Sequence, residues 1–458
     1  MMSPQKNLQL AVVITLGVVV IAIVFGIYNT SSSQIQPAED QRKPVHFVLL
    51  GATGDLAVRY LFPALASLAK DDYPVKVYAS SRQEPDHTSF YLEELVEKVF
   101  WKLLTFVRLK SQNDFEVFCR TIPEDVKTVF YLAIPPSGYL SAVNDIATAC
   151  SSGHRNLQVV LEKPFGVNES TAADLFYSIS SVLPEERIYL VDHYKAKESV
   201  RAINDFFKRN PVLTDLLTSG GVQQIEVTIN ETNGVENRIN FFEETGIIRD
   251  VVQNHLLEVV MNILSSCRDI HPSAKPDLIS NLAVRHFLAD QYATYTAEVL
   301  NWTKNSTHTS TTPTFAKAVL VASIAPCWHH DLLIVLTAGK RLQQKISVAK
   351  LAFIGEAGTP REVLFHIGGG SLSYPAVLFR GFPPGDVECP HEIDAERVAY
   401  QLTVDGAAEQ FSVCRLGDTF ENAYEVVIRD ICDWEKKFSA TFRFVLNSWK
   451  LWDPWVNN

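Results

Sequence analysis

The chain has 458 residues, 47% of them hydrophobic and 10% aromatic, with 41 Lys and Arg against 52 Asp and Glu. That length suits two or three domains at roughly 150 residues each, and the apolar content excludes a disordered chain. A net charge of −11, with no basic stripe, excludes general nucleic-acid binding, yet a local cluster of lysines can still hold an anionic small substrate.

From the N-terminus, Leu8–Tyr28 is almost wholly apolar and uncharged. About 20 such residues span a bilayer as one helix, and the run is longer than the roughly 7–15 residues of a cleaved signal's core. Lys6 flanks it on one side, while Glu39, Asp40, Arg42 and Lys43 cancel on the other. The expectation is a signal anchor over 1–28 and a tether over 29–44, with the remainder across the membrane. Asn-x-Ser/Thr triplets at Asn29, Asn168, Asn230, Asn301 and Asn305 fit a lumenal address, Asn301 and Asn305 best. The seven cysteines show no Cys-x-x-Cys or metal spacing, so neither a metal site nor a disulfide framework is expected.

A domain over 45–196 opens with the buried-strand pattern Val45–Leu50, the turn Gly51-Ala52-Thr53-Gly54-Asp55-Leu56 and a helical pattern over Leu61–Ala69. This is the first βα unit of a Rossmann-like dinucleotide fold, in which Gly51 and Gly54 let the backbone approach a pyrophosphate at a helix N-terminus. A second strand, Val75–Ala79, ends at Ser80-Ser81-Arg82, where a cofactor ribose belongs. Strands at Thr128–Ala133 and Leu157–Leu161 follow, leading into Pro135-Pro136 and Lys163.

The strand pattern Ile188–Val191 runs into Asp192-His193-Tyr194-Lys195-Ala196-Lys197. Beyond it, 197–458 reads as an α+β domain with long strands such as Gln224–Ile229, Ala316–Ile324 and Leu332–Leu336, which suggests a large, mostly antiparallel sheet. Between these, Gly246–Leu257 reads as a helix whose apolar face (Ile247, Ile248, Val251, Val252, Leu256) places His255 near its centre. A lone inward histidine is more often a core residue bonded to a carbonyl. Asp192 offers a carboxylate partner instead, and a carboxylate that orients an imidazole makes a general base.

These two segments resemble the active-site motifs of the glucose-6-phosphate dehydrogenase family, and the resemblance runs from about Val45 to the C-terminus. It implies oxidation of a hexose 6-phosphate at C1 to the 6-phospholactone, with hydride transfer to NADP or NAD. His255 would be the base and Asp192 its partner. His193, Tyr194 and Lys197 would hold the phosphate, Glu231 and Asp250 the sugar hydroxyls, and Lys340 and Lys345 the phosphate side. Lys163 would lie where substrate and nicotinamide meet. The cofactor would touch Gly51, Thr53, Gly54, Asp55, Leu56, Ser81, Arg82, Pro135, Pro136 and Tyr139.

Members dedicated to NADP usually carry arginine at the place of Ser80, so its absence implies use of both cofactors or a relaxed preference for NADP. The segments Thr312–Ala316, Val363–Gly368 and Pro375–Leu378 resemble the endoplasmic hexose-6-phosphate branch. This implies a lumenal, type II membrane-anchored homodimer or homotetramer. That branch continues into a lactonase domain, whereas this sequence stops at Asn458, so lactone hydrolysis is not expected. The family's Asp-His-Tyr-Leu-Gly-Lys reads here with Lys195 and Ala196. The change leaves open a membrane-anchored pseudoenzyme and an oxidoreductase for unphosphorylated sugars.

Overall fold

In the computed structural model the described residues are 44–93, 98–150, 156–266, 274–304, 309–323, 331–355, 360–383, 385–390, 396–402 and 406–456. Pro44–Asn458 forms one compact unit. The apolar run Leu8–Tyr28, the tether to residue 43 and the triplets at Asn29 and Asn305 lie outside the described residues. Among those described, no helix is long and apolar enough to cross a membrane.

Strand β1 (Val45–Leu50) is buried at every position, as a strand covered on both faces must be. It pairs in parallel with β2 (Val75–Ser81) and β4 (Thr128–Leu132). With β3 (Leu104–Arg108), β5 (Leu157–Leu161) and β6 (Ile188–Val191), the parallel order is β3-β2-β1-β4-β5-β6. Strand order reverses between β1 and β4, and the crevice over their carboxyl ends is where such sheets take a ligand. A helical stretch follows the glycine turn, π-wound over Ala57–Leu61 and α-helical over Phe62–Lys70.

The second sheet contains β7 (Val222–Asn230), β8 (Leu282–Asp290), β9 (Phe315–Ala322), β10 (Leu332–Gly339) and β11 (Ile346–Phe353). Four more strands complete it: β12 (Arg361–Gly369), β13 (Ala376–Arg380), β14 (Glu396–Tyr400) and β15 (Glu409–Arg415). The order is β14-β15-β13-β12-β11-β7-β10-β9-β8. Only β10 and β7 run parallel; the other described pairs are antiparallel.

The C-terminal segment returns to the first sheet, where β16 (Ser439–Ala440) adds antiparallel to β6. Helix Ala423–Cys432 shares a core with Phe47, Leu65 and Tyr131, and helix Phe442–Val456 shares another with Phe130 and Phe176. Two disulfides, Cys119–Cys150 and Cys389–Cys414, correct the expectation of none. Their partners are 31 and 25 residues apart, so the tertiary fold, and no short spacing motif, brings the sulfurs together.

Candidate active site

The helix that carries His255 is not the two-sided helix its periodicity predicts. Helix Ile239–Ile247 breaks at Gly246, whose φ of 60° and ψ of 171° fall in a region open essentially to glycine alone. The chain then winds as a π-helix over Ile248–Leu256 before returning to α geometry at Leu257–Leu264. Residues Val251–Met261 are all buried, polar ones included. The polar side chains among them are therefore bonded internally: Gln253 donates to Ser448 Oγ at 2.5 Å and Asn254 to the Arg249 carbonyl at 2.7 Å.

His255 Nδ1 lies 2.8 Å from Asp192 Oδ1, and Lys163 Nζ lies 2.8 Å from Asp192 Oδ2. Lys163 Nζ is also 2.8 Å from His255 Nδ1. An ionised carboxylate only accepts, so Nδ1–H donates to Oδ1 and the ammonium to Oδ2, and the approach of Nζ to Nδ1 is a contact between two donors that share one acceptor group. This tautomer leaves the lone pair on Nε2. Burial, then the Lys163 charge, lowers the His255 pKa against the opposing pull of Asp192. Asp192 is held well below the usual carboxylate range because Lys163 and His255 outweigh its burial. At neutral pH the pair is thus a carboxylate and a neutral imidazole, the protonation state a base requires.

The turn Asp192–Lys197 arranges three further side chains around this pair. Backbone bonds from Lys195, Ala196 and Lys197 to the carbonyls three residues back close successive turns. Ala196 is absent from the residues with positive φ, so the alanine is unstrained where the family has glycine. Lys195 donates to the Ser439 carbonyl at 2.5 Å. The ring of His193 lies 4.6 Å from that of His255, and the ring of Tyr194 lies 4.3 Å from it. Burial and the neighbouring cations keep His193 neutral. Lys197 sits 5.0 Å over the Tyr194 ring, its pKa lowered by burial and by Lys345. Two ammoniums close enough to oppose each other's charge suit a bound dianion.

Lys340, expected on the phosphate side, is paired with two carboxylates. Its ammonium contacts Glu231 at 2.9 Å and Asp250 at 3.2 Å, over the ring of Phe242. It neutralises the two carboxylates expected to bind sugar hydroxyls. Burial opposes the Asp250 charge, but Lys340 and Arg238 hold its pKa below the ordinary value.

In the crevice, Gly51 adopts φ +84°, and a Cβ there would lie 2.2 Å from the Ala133 carbonyl oxygen. Gly54 closes the turn by donating to the Gly51 carbonyl at 2.9 Å, with Thr53, Asp55 and Leu56 at the start of the helical stretch. Asp55 is exposed and paired to Arg59 at 2.7 Å. Ser80 is 1% exposed, and its hydroxyl has no hydrogen-bond partner beside this turn. A backbone cradle with an orphaned hydroxyl at the ribose position fits a dinucleotide.

The neighbouring side chains are less uniformly available. The Ser81 hydroxyl is engaged by Thr88 and the Gln83 amide, whereas Arg82 is exposed. Pro135 and Pro136 lead into a short 3₁₀ turn. The Tyr139 hydroxyl is spent on the Glu162 carbonyl at 2.6 Å, and its ring is buried in the core on one side of the first sheet.

Sequence reasoning missed two contributors. Tyr424, from helix Ala423–Cys432, stacks on His193 with centroids 5.3 Å apart, and Ser347 hydrogen-bonds the Tyr194 phenol. They lie more than 150 residues from their partners, so no local signal marks them.

Residues 48–202 match the family described as "Glucose-6-phosphate dehydrogenase, NAD binding domain", and 206–458 match the corresponding C-terminal domain. The human "GDH/6PGL endoplasmic bifunctional protein" is 28% identical over 91% of this chain and 59% of its own length. The chain thus spans under two thirds of that relative. Glucose-6-phosphate 1-dehydrogenase of Drosophila melanogaster is 25% identical over 91% of this chain and 84% of the relative. The solved structure of glucose-6-phosphate 1-dehydrogenase from Mycobacterium avium is similar with a TM-score of 0.72, at 21% identity over 90% of this chain and 91% of that one. Two domain matches that together cover most of the chain, in the order the two sheets require, place it in the glucose-6-phosphate dehydrogenase family.

Proposed function

We propose that the protein oxidises glucose 6-phosphate, or a related hexose 6-phosphate, at C1 to the 6-phospholactone, using NADP or NAD. The observation that carries this reading is the His255 imidazole held 2.8 Å from the Asp192 carboxylate, whose other oxygen takes the Lys163 ammonium at 2.8 Å. When bound over the glycine turn, the nicotinamide supplies the hydride acceptor. Gly51, Thr53, Gly54 and Leu56 would cradle its pyrophosphate, and Arg82 and Ser80 would face the ribose. His255 Nε2 takes the proton of the C1 hydroxyl as C1 gives up its hydride, and the C–O bond becomes the lactone carbonyl. Asp192 stabilises the resulting imidazolium. Glu231 and Asp250, held ionised by Lys340, accept from sugar hydroxyls, while His193, Tyr194, Lys197 and Lys345 take the phosphate.

General-base catalysis contributes about 10²–10⁴-fold. His255→Asn should therefore lower kcat by at least about 10²-fold, with little change in substrate binding, when reduced nicotinamide is followed with several sugars and both cofactors. A variant with near-parental turnover sinks the assignment. Turnover of free hexoses with no dependence on Lys197 favours an oxidoreductase for unphosphorylated sugars.

For location, the proposal is an endoplasmic lumenal enzyme anchored through Leu8–Tyr28. Three observations support it: the endoplasmic name of the human relative, the two disulfides and the apolar run itself. Glycosylation at Asn301, exposed at the end of helix Tyr295–Thr303, belongs to the same reading. So does assembly of a homodimer or homotetramer through the large sheet. Protease protection in microsomes, before and after detergent, tests the lumenal address.

A further inference from the structure

Glu162 follows β5, one residue before Lys163, and its carboxyl lies among phenols. Tyr131 of β4 and Tyr424 of helix Ala423–Cys432 both hydrogen-bond to it, and Tyr139 donates to its backbone carbonyl. Lys163, Asp192 and Tyr189 of β6 are the other titratable groups that face it. The proposed reaction uses none of these phenols. Yet the ring of Tyr424 stacks on His193 at an interplanar angle of 19°, and His193 packs edge-on against His255. The helix is tied down beside this contact, because Ser67 donates to Glu425 at 2.9 Å and Tyr424 is itself 7% exposed.

We propose that Tyr424 is a positioning residue whose hydroxyl is held by Glu162 and whose ring sets the orientation of His193 on the phosphate side of the site. The inference rests on the hexose 6-phosphate reading. An ionised Glu162 accepts charge-assisted bonds from both phenols, whereas a protonated one makes only neutral bonds of about half that strength and holds the Tyr424 hydroxyl less firmly. The wall behind His193 is then less rigidly fixed. Burial pushes the Glu162 carboxyl up to about 7, with the Tyr131 bond, Lys163 and the Tyr424 bond opposing. The change therefore falls within the working pH range. The KM for the sugar phosphate rises as pH falls through that value, and kcat does not follow it.

The test compares KM and kcat for glucose 6-phosphate in the parent, Glu162→Gln, Tyr424→Phe and Tyr424→Leu across neutral pH. The parental KM should rise about 3- to 10-fold on the acid side, the order of one lost hydrogen bond. Glu162→Gln should lose this inflection. Tyr424→Phe keeps the stacked ring but removes a donor from the carboxylate, so its inflection should move to higher pH. Tyr424→Leu should raise KM at every pH with kcat within about twofold. Superimposable KM profiles for the parent, Glu162→Gln and Tyr424→Phe overturn the inference. If Glu162→Gln does not fold by circular dichroism, the Tyr424→Phe profile decides alone. A parent inactive on every hexose 6-phosphate overturns the proposed function instead, and the same variants are then judged by the pH dependence of inorganic phosphate binding in calorimetry.

Discussion

At the scale of single residues, charge placement separates the roles of the site's lysines. Lys163 sits on the Asp192–His255 pair, Lys197 and Lys345 oppose each other, and Lys340 bridges Glu231 and Asp250. Lys340→Met would remove the ammonium that pairs with both carboxylates and leave Arg238 as the cation acting on Asp250. Breaking a fully buried pair costs about 3–5 kcal/mol, and partial exposure of Glu231 reduces this to roughly 1–3 kcal/mol, which is about 5- to 150-fold in kcat/KM where the cost falls on binding the sugar in the transition state. Steady-state kinetics that leave kcat/KM within about twofold of the parent would refute this role. His255 sets the acid limit of turnover. Its pKa is lowered from 6.5, so the base form persists through neutral pH, and kcat at saturating substrate should fall only below the ordinary histidine range. A kcat limb at or above 6.5 contradicts the neutral-imidazole assignment.

Among elements, the His255 helix shows what periodicity reveals and what it hides. Spacing of apolar residues correctly turned His255 inward, and Asp192 was recognisable as its partner because it ends a strand in a short, chemistry-rich turn. The π-winding and burial on all sides were not legible, since they depend on the second sheet and on Ser448 in the last helix. Gly246 makes the entry possible. An added Cβ would meet Thr312 Cγ2 at 3.3 Å, and the Ile247 amide donates to the Pro313 carbonyl at 3.0 Å just after the break. Gly246→Ala should cost about 1–3 kcal/mol in unfolding free energy. Because the break aims Asp250 and His255 together, kcat should fall with it. Denaturant titration showing full parental stability would mean that the break relaxes without strain.

For the whole molecule, the sequence gives the expectation of a dinucleotide domain over 45–196 and a substrate domain over 197–458, and the structure shows the two sheets, one parallel and one mostly antiparallel, that this reading requires. The sequence carries no sign that the C-terminal segment completes the first sheet, because contacts between residues 240 or more apart leave no periodic trace. Tyr189 donates to Asp430 at 2.7 Å, and the Leu190 amide donates to Ser439 at 3.0 Å. Tyr424, Val427, Ile428 and Ile431 fill one face of that sheet, while Phe442, Val445 and Trp449 fill the other. Each large apolar side chain buried is worth about 1.5–3 kcal/mol, so losing these seven removes as much as the roughly 5–15 kcal/mol that holds a typical domain together. A fragment of residues 44–200 should therefore fail to melt cooperatively and should not bind dinucleotide. Adding the segment 421–458 through a flexible linker should restore both. Calorimetry and cofactor-fluorescence titration of the two fragments decide the point, and a cooperative, dinucleotide-binding 44–200 fragment would show that the first sheet stands without its C-terminal cover.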